Sequence, residues 1–251
     1  MTLIYSSIIL IYGIILGSFY NVVALRIPAG ESIVKPRSHC PKCGHVLGAL
    51  ELIPVLSYIL QKGKCRSCKA PISPLYALVE LATGLLFVSA PLVMGWTSEL
   101  FVAWTLISLL VIVFVSDYKY MIIPDKVLLF FLPIFLIERF FIPLAPWWDS
   151  LLGAAVGFGL LYLIAVISKG GMGGGDIKLY GVLGLVLGVK MVLLSFFLAT
   201  LLGALFGGIG LLAGKVERGK PIPFGPFICI GVLLAYFFGE NILTWYFQLF
   251  F

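Results

Sequence analysis

The stretch LFVAWTLISLLVIVFVSD, residues 100–117, stays apolar for seventeen residues and then meets Asp117. At about 1.5 Å per residue such a run reaches roughly 26 Å as a helix, close to the ~30 Å hydrocarbon core of a bilayer. A carboxylate beside hydrocarbon is costly unless it is paired, hydrated or protonated, so an acid placed there points to function. A second acid stands in the same setting, in Gly171-Met172-Gly173-Gly174-Gly175-Asp176, at the opening of another apolar run.

Composition supports a membrane reading for the whole chain. Of 251 residues, 61% are apolar and 11% charged, against about 25% charged in ordinary soluble domains. The expected fold class is an all-α polytopic membrane protein with about eight transmembrane helices, at roughly 3–25, 74–94, 100–116, 127–142, 151–168, 177–189, 191–214 and 222–249. The first run, Leu3 to Leu25, carries no charge and no small-residue cleavage site before Arg26, and reads as a retained span.

Charge sets the orientation. Residues 26–73 hold eight Lys or Arg (Arg26, Lys35, Arg37, Lys42, Lys62, Lys64, Arg66 and Lys69) against Glu31 and Glu51. The positive-inside rule places this segment in the cytoplasm and explains its charge without nucleic acid as a partner. Alternate connections then agree. Lys119, Lys126, Lys169, Lys178, Lys215, Arg218 and Lys220 fall on the inner side, whereas Gly95 to Glu99 and Pro143 to Asp149 lack Lys and Arg. Asp117 and Asp176 both come to the cytoplasmic face. The sixth span, 177–189, is short for a bilayer, so the glycine run before it suggests a hydrated, partly unwound region around Asp176.

Within the basic segment, Cys40-Pro41-Lys42-Cys43 and Cys65-Arg66-Ser67-Cys68 form two Cys-x-x-Cys knuckles. Four thiolates at that spacing suit a tetrahedral, structural zinc site, and a reducing compartment disfavours disulfides. His39 and His45 flank a ligand set that is already complete. The domains expected are 1–25, the first span; 26–73, a small cytoplasmic zinc-binding insert; and 74–251, a membrane core.

Two nearby carboxylates do not both ionise cheaply, so one holds a proton while the other takes one from water, which is the aspartic-protease route to amide hydrolysis. Asp125, in Ile122-Ile123-Pro124-Asp125, is a rival partner but reads as a cap for the helix starting near 127. Glu80, inside the second span, needs a polar neighbour or a cavity. Asn21 and Arg26 mark an interfacial anchor, and Pro221 to Phe227 could shape the same cavity. The glycine run is no phosphate loop, because it ends in Gly-Asp-Ile-Lys where Gly-Lys-Ser/Thr is required. A proton-coupled or ion transporter, with Glu80, Asp117 and Asp176 as its path, is the alternative class, but no repeat relates the two halves.

Taken together, Gly17-Ser18-Phe19-Tyr20-Asn21-Val22-Val23 with Arg26-Ile27-Pro28, the paired Cys-x-x-Cys, Val79-Glu80-Leu81, Asp117 through Pro124-Asp125, Gly173 to Leu179 and Pro223 to Phe227 resemble the type IV prepilin peptidases. These are membrane aspartyl proteases of the Gly-x-Gly-Asp kind. The resemblance implies that Asp117 and Asp176 are the catalytic pair, with Gly173, Gly175, Glu80 and Asp125 in support. It also implies prepilin or pseudopilin substrates with a short basic leader, cut after glycine at the cytoplasmic face of the plasma or inner membrane. The four cysteines match the insert of members that also N-methylate the new terminus from S-adenosylmethionine. No βαβ pattern offers a methyl-donor site, and no residue is assigned to one. A general intramembrane protease shares the chemistry, but the cysteine insert speaks against it.

Overall fold

The computed structural model describes residues 2–214 and 222–250; Lys215, Arg218, Lys220 and Pro221 of the expected inner loop lie outside them. Among the described residues the chain is helical, with two isolated β-bridges and no strand. It divides into two compact units, one ending at Gly95 and the other starting at Trp96.

The first unit contains α1 (Thr2–Arg26), α2 (Leu56–Leu60) and α3 (Pro74–Met94), with a short 3₁₀ turn at Ala49–Leu52. Close packing of α1 on α3 is set by glycine. A methyl group at Gly13 would meet the Gly84 backbone at 2.8 Å, and one at Gly17 would meet Thr83 and the Glu80 backbone at 2.9 Å. Ser73 caps α3 by accepting the Leu75 N–H, just ahead of Pro74 at the first helical position, so that two of the helix's four initial N–H positions need no further partner.

The second unit contains α4 (Glu99–Tyr120), α5 (Asp125–Phe141), α6 (Asp149–Ile167), α7 (Gly174–Leu212) and α8 (Gly225–Phe250). Among the described residues six helices are long and apolar enough to cross a membrane, and the protein is a multi-pass membrane protein. The expected count of about eight is not met by that measure, for two reasons. Helix α5 has 17 residues, slightly short of a full span. Helix α7 has 39, because the expected spans 177–189 and 191–214 are joined through one non-helical residue, Gly188, at φ 72° and ψ 176°.

Gly188 nevertheless reverses the chain. Tyr180 and Phe196 would lie about 24 Å apart on a straight helix, yet their rings meet edge to face at 5.7 Å. The two halves of α7 therefore form a hairpin. Gly153 and Gly157 of α6 face it: Gly153 packs on the backbone of Gly184 and Gly188, and Gly157 on the Tyr180 carbonyl. Small residues four apart let the helix backbones touch, the usual close-packing device in membranes. Asp149 completes the turn, its Oδ1 accepting the Val189 N–H at 3.3 Å.

Roughly 27 Å along α4 from Asp117, a buried polar cluster ties the helices together. Arg139 of α5 donates to both oxygens of Glu99 at 2.7 and 2.9 Å and to the Val186 carbonyl at 2.6 Å. The Tyr236 hydroxyl of α8 donates to Glu99 at 2.8 Å. Removing Arg139 leaves Glu99 and a carbonyl beside the Gly188 turn without their strongest partner, and breaking such a pair costs about 3–5 kcal/mol. Arg139→Ala is expected to lower the thermal midpoint of the detergent-solubilised protein clearly, whereas Lys190→Ala, which breaks the exposed pair with Glu240 at 2.7 Å, should shift it little.

Candidate functional site

Asp117 lies inside α4, not beyond its end, because the helix continues to Tyr120 and closes on Met121 in the left-handed conformation. The carboxylate is 6% exposed. Its Oδ2 accepts the Gly225 N–H, the first residue of α8, at 2.7 Å. A β-carbon at Gly225 would come within 2.7–2.9 Å of the Asp117 side chain, so only glycine admits this contact. The Pro221 to Phe227 segment thus contributes through a backbone N–H, a role its sequence does not announce.

Asp176 occupies the first turn of α7, which begins at Gly174 and takes Gly173 as its N-cap. The expected start at residue 177 is therefore three residues late. Asp176 is half-buried and sits where unpaired helix N–H groups favour a negative charge. Its neighbour Gly175 packs on Ile123, in the loop that follows α4, so the end of α4 that carries Asp117 lies beside the start of α7 that carries Asp176.

The glycines before Asp176 are not equivalent. A methyl group at Gly173 would press on Asp176 Oδ2 at 2.9 Å, and one at Gly175 would meet Ile123 Cβ at 3.0 Å, whereas Gly174 faces open space. Ile123 is held in turn by Ser116, whose buried hydroxyl donates to the Ile122 carbonyl at 2.6 Å. The loop after α4 therefore braces the start of α7. Asp125 does not cap α5: the N-cap position is Pro124, without a side-chain bond. Its Oδ2 instead accepts from Lys178 Nζ at 2.7 Å, which ties α5 to α7 two residues after Asp176. Both side chains are exposed, and a pair of that kind contributes at most about 1 kcal/mol.

Glu80 belongs to the first unit. Its Oε2 accepts the Val55 N–H at 2.7 Å, and Ser18 of α1 also hydrogen-bonds to it. Asn21 donates to the Tyr76 carbonyl at 3.2 Å. Glu80 is thus the tether between α1, α3 and the loop ahead of α2, a partnership hidden in the sequence because Val55 offers only its backbone.

The cysteines gather in the same unit, with all four Sγ atoms within 4.8 Å of one another. Cys40 and Cys68 are 3.8 Å apart, and Cys43 and Cys65 are 3.9 Å apart. A disulfide needs about 2.05 Å; four sulfurs at about 2.3 Å from a central ion would stand roughly 3.8 Å from each other. The set fits a metal ion. The two knuckles repeat one pattern of hydrogen bonds: Cys40 N–H to His45 O and Gly44 N–H to Cys40 O, then Cys65 N–H to Ala70 O and Lys69 N–H to Cys65 O. N–H groups of Cys43 and Lys42 pull the Cys40 thiol down to about 6. The His45 N–H favours the Cys43 thiolate too, but burial and the neighbouring sulfurs Cys68, Cys40 and Cys65 push that thiol up to about 11. Four thiolates this close require a cation between them. Neither histidine joins the set: His39 bonds the Arg37 carbonyl, and His45 the Glu51 carboxylate at 2.9 Å.

Fold and site together define a multi-pass membrane protein with aspartates at neighbouring ends of α4 and α7 and a four-cysteine metal-type cluster. The Bacterial Peptidase A24 N-terminal domain matches residues 11–94, and the Type IV leader peptidase family matches residues 104–208. A prepilin leader peptidase/N-methyltransferase of Bacillus subtilis is 49% identical over 243 residues, covering 97% of this chain and 98% of that one. Proteins of the same name from Aeromonas salmonicida and Pseudomonas aeruginosa are each 35% identical, covering 97% and 95% of this chain and 94% and 92% of theirs. No solved structure matches. The chain belongs to the type IV leader peptidase family.

The glycine geometry separates neighbouring positions. Gly174→Ala is expected to keep peptidase activity. Gly175→Ala and Gly225→Ala force displacements costing about 1–3 kcal/mol, which at a reacting centre corresponds to roughly a ten- to hundredfold loss of kcat/KM. Initial rates of leader cleavage by the three variants in detergent would check this order.

Proposed function

We propose that this protein cleaves the leader peptide of type IV prepilins or pseudopilins after glycine and N-methylates the amino terminus so formed, with Asp117 and Asp176 as the hydrolytic pair. What supports the reading is the packing of Gly175 on Ile123, which sets the end of α4 beside the start of α7, in a chain whose full-length relatives bear both activities in their names.

In this reading the pair shares one proton. The ionised carboxylate takes a proton from a water molecule, whose oxygen attacks the scissile carbonyl, while the protonated one donates a hydrogen bond to the carbonyl oxygen. Collapse of the tetrahedral intermediate breaks the C–N bond as a proton passes to the departing amine. The Gly225 N–H holds Asp117 Oδ2 and thereby aims its other oxygen. Because titration belongs to the pair, neither aspartate is fixed as the base. Gly173 and Gly175 support Asp176 by keeping space beside it, and Asp125 does so through Lys178.

We also infer zinc for Cys40, Cys43, Cys65 and Cys68, in a structural role: four protein ligands leave no open position for chemistry. S-adenosylmethionine is the methyl donor we infer, with no residue assigned to hold it. Charge asymmetry supports an active site facing the cytoplasm from the plasma or inner membrane, where a short basic leader would be presented.

Asp117→Asn and Asp176→Asn should each lower cleavage of a prepilin peptide containing the Gly-Phe junction by about 10²–10⁴-fold, the usual worth of a positioned acid or base. Product masses from the wild type and both folded variants would decide this; retained cleavage by either removes that aspartate from the mechanism. A product heavier by one methyl group, only when S-adenosylmethionine is present, is the expected sign of the second activity. Elemental analysis should find one zinc per chain, lost in Cys40→Ser, and a metal-free wild type would return the cysteines to redox chemistry.

A further inference from the structure

The cysteine insert carries an apolar segment that nothing among the described residues covers. In α2, Leu56 is 57% exposed, Ile59 62% and Leu60 80%. The depth of this segment can be read from its tether. Helix α3 has 21 residues, about 31 Å, which matches the ~30 Å hydrocarbon core and places Pro74 near its boundary. Glu80 therefore lies about 9 Å inside. Its carboxylate accepts the N–H of Val55, the residue immediately before α2. Ser18, the other partner of Glu80, lies about 12 Å from the Arg26 end of α1, so both helices give the same depth. That depth would set Val55 below the membrane surface, with the exposed side chains after it at the level of the lipid. Interfacial helices characteristically sink their apolar side about 5–10 Å.

Immediately after α2 the chain turns back through Lys62 and Gly63, both at positive φ, and becomes cationic. Lys62, Lys64, Arg66 and Lys69 line one pocket of about 420 Å³, together with Ser57 and Glu51. None of the four makes a salt bridge among the described residues. The carboxylate of Glu51 is already committed through Oε2 to His45 and to the Gly48 N–H, so the pocket keeps a positive excess. Cations at headgroup level beside apolar side chains at acyl level form a complementary surface for an anionic lipid.

We propose that residues 50–69 are an interfacial lipid-binding element, with Leu56, Ile59 and Leu60 in the acyl layer and Lys62, Lys64, Arg66 and Lys69 holding an anionic phospholipid headgroup. This assigns the insert a role in seating the first unit on the membrane, separate from its metal cluster.

The full-length, metal-loaded protein would be placed in nanodiscs of phosphatidylcholine, with or without phosphatidylglycerol, and amide exchange followed over residues 50–69. Phosphatidylglycerol is expected to slow exchange there about tenfold or more, and native mass spectrometry to find that lipid retained in preference to phosphatidylcholine. The combined variant Lys62→Gln, Lys64→Gln, Arg66→Gln and Lys69→Gln should lose both effects with its metal content unchanged. Should that variant lose metal, Ile59→Asp decides, since this side chain is 62% exposed and is not among those that line the cation pocket; it should lose the slowing while keeping the metal. Equal exchange in the two lipids, or the same slowing from inorganic phosphate added to phosphatidylcholine discs, would overturn the proposal.

Discussion

The contact on which the second unit depends is backbone against backbone, where Gly153 of α6 meets Gly184 and Gly188 of α7. In hydrocarbon, helices gain little by hiding apolar side chains, so association relies on close packing and on satisfied polar groups. At this crossing both conditions are met. No side chain separates the helices, and the N–H freed at the Gly188 turn finds Asp149. Because the first half of α7 is fixed there, its other end is fixed as well, and that end carries Asp176. The geometry of the candidate site is therefore set some two to three helical turns away from it.

A second constraint acts on the ends of helices. Each membrane helix leaves unpaired N–H groups at its start, and two such starts serve the two acids. The first turn of α7 carries Asp176, and the first N–H of α8 binds Asp117. Glycine is required at Gly225 for closeness and at Gly188 for its positive φ. At the other end of the second unit, Arg139 uses its charge to satisfy the Val186 carbonyl next to the turn while pairing with Glu99. One buried ion pair and one glycine contact thus hold the hairpin from two sides.

The first unit shows the same economy with different means. Its α1 and α3 pack through Gly13, Gly17 and Gly84, and Glu80 serves as the anchor for the insert. An intramembrane acid that composition alone marks as a functional suspect has here a clear structural partner. The metal-type cluster organises the distal part of the insert by joining two knuckles of the same hydrogen-bonding pattern.

Much was legible in the sequence because it follows from composition and local pattern. The length of each apolar run and the knuckle spacing sufficed for an all-helical membrane protein and a four-cysteine cluster, and the two acids beside hydrocarbon stood out as candidates for function. Other features depend on which backbone groups meet across the bundle, and these only the tertiary structure decided. The expected spans 177–189 and 191–214 leave Lys190 as the turn, but the reversal falls two residues earlier, at Gly188, whose positive φ makes it. Asp125 reads as a cap, yet it pairs with Lys178, and Val55 and Gly225 bear no chemistry in their side chains although their N–H groups bind Glu80 and Asp117. A backbone donor has the same identity at every residue, so a sequence can show the acid that needs one but not which N–H will supply it.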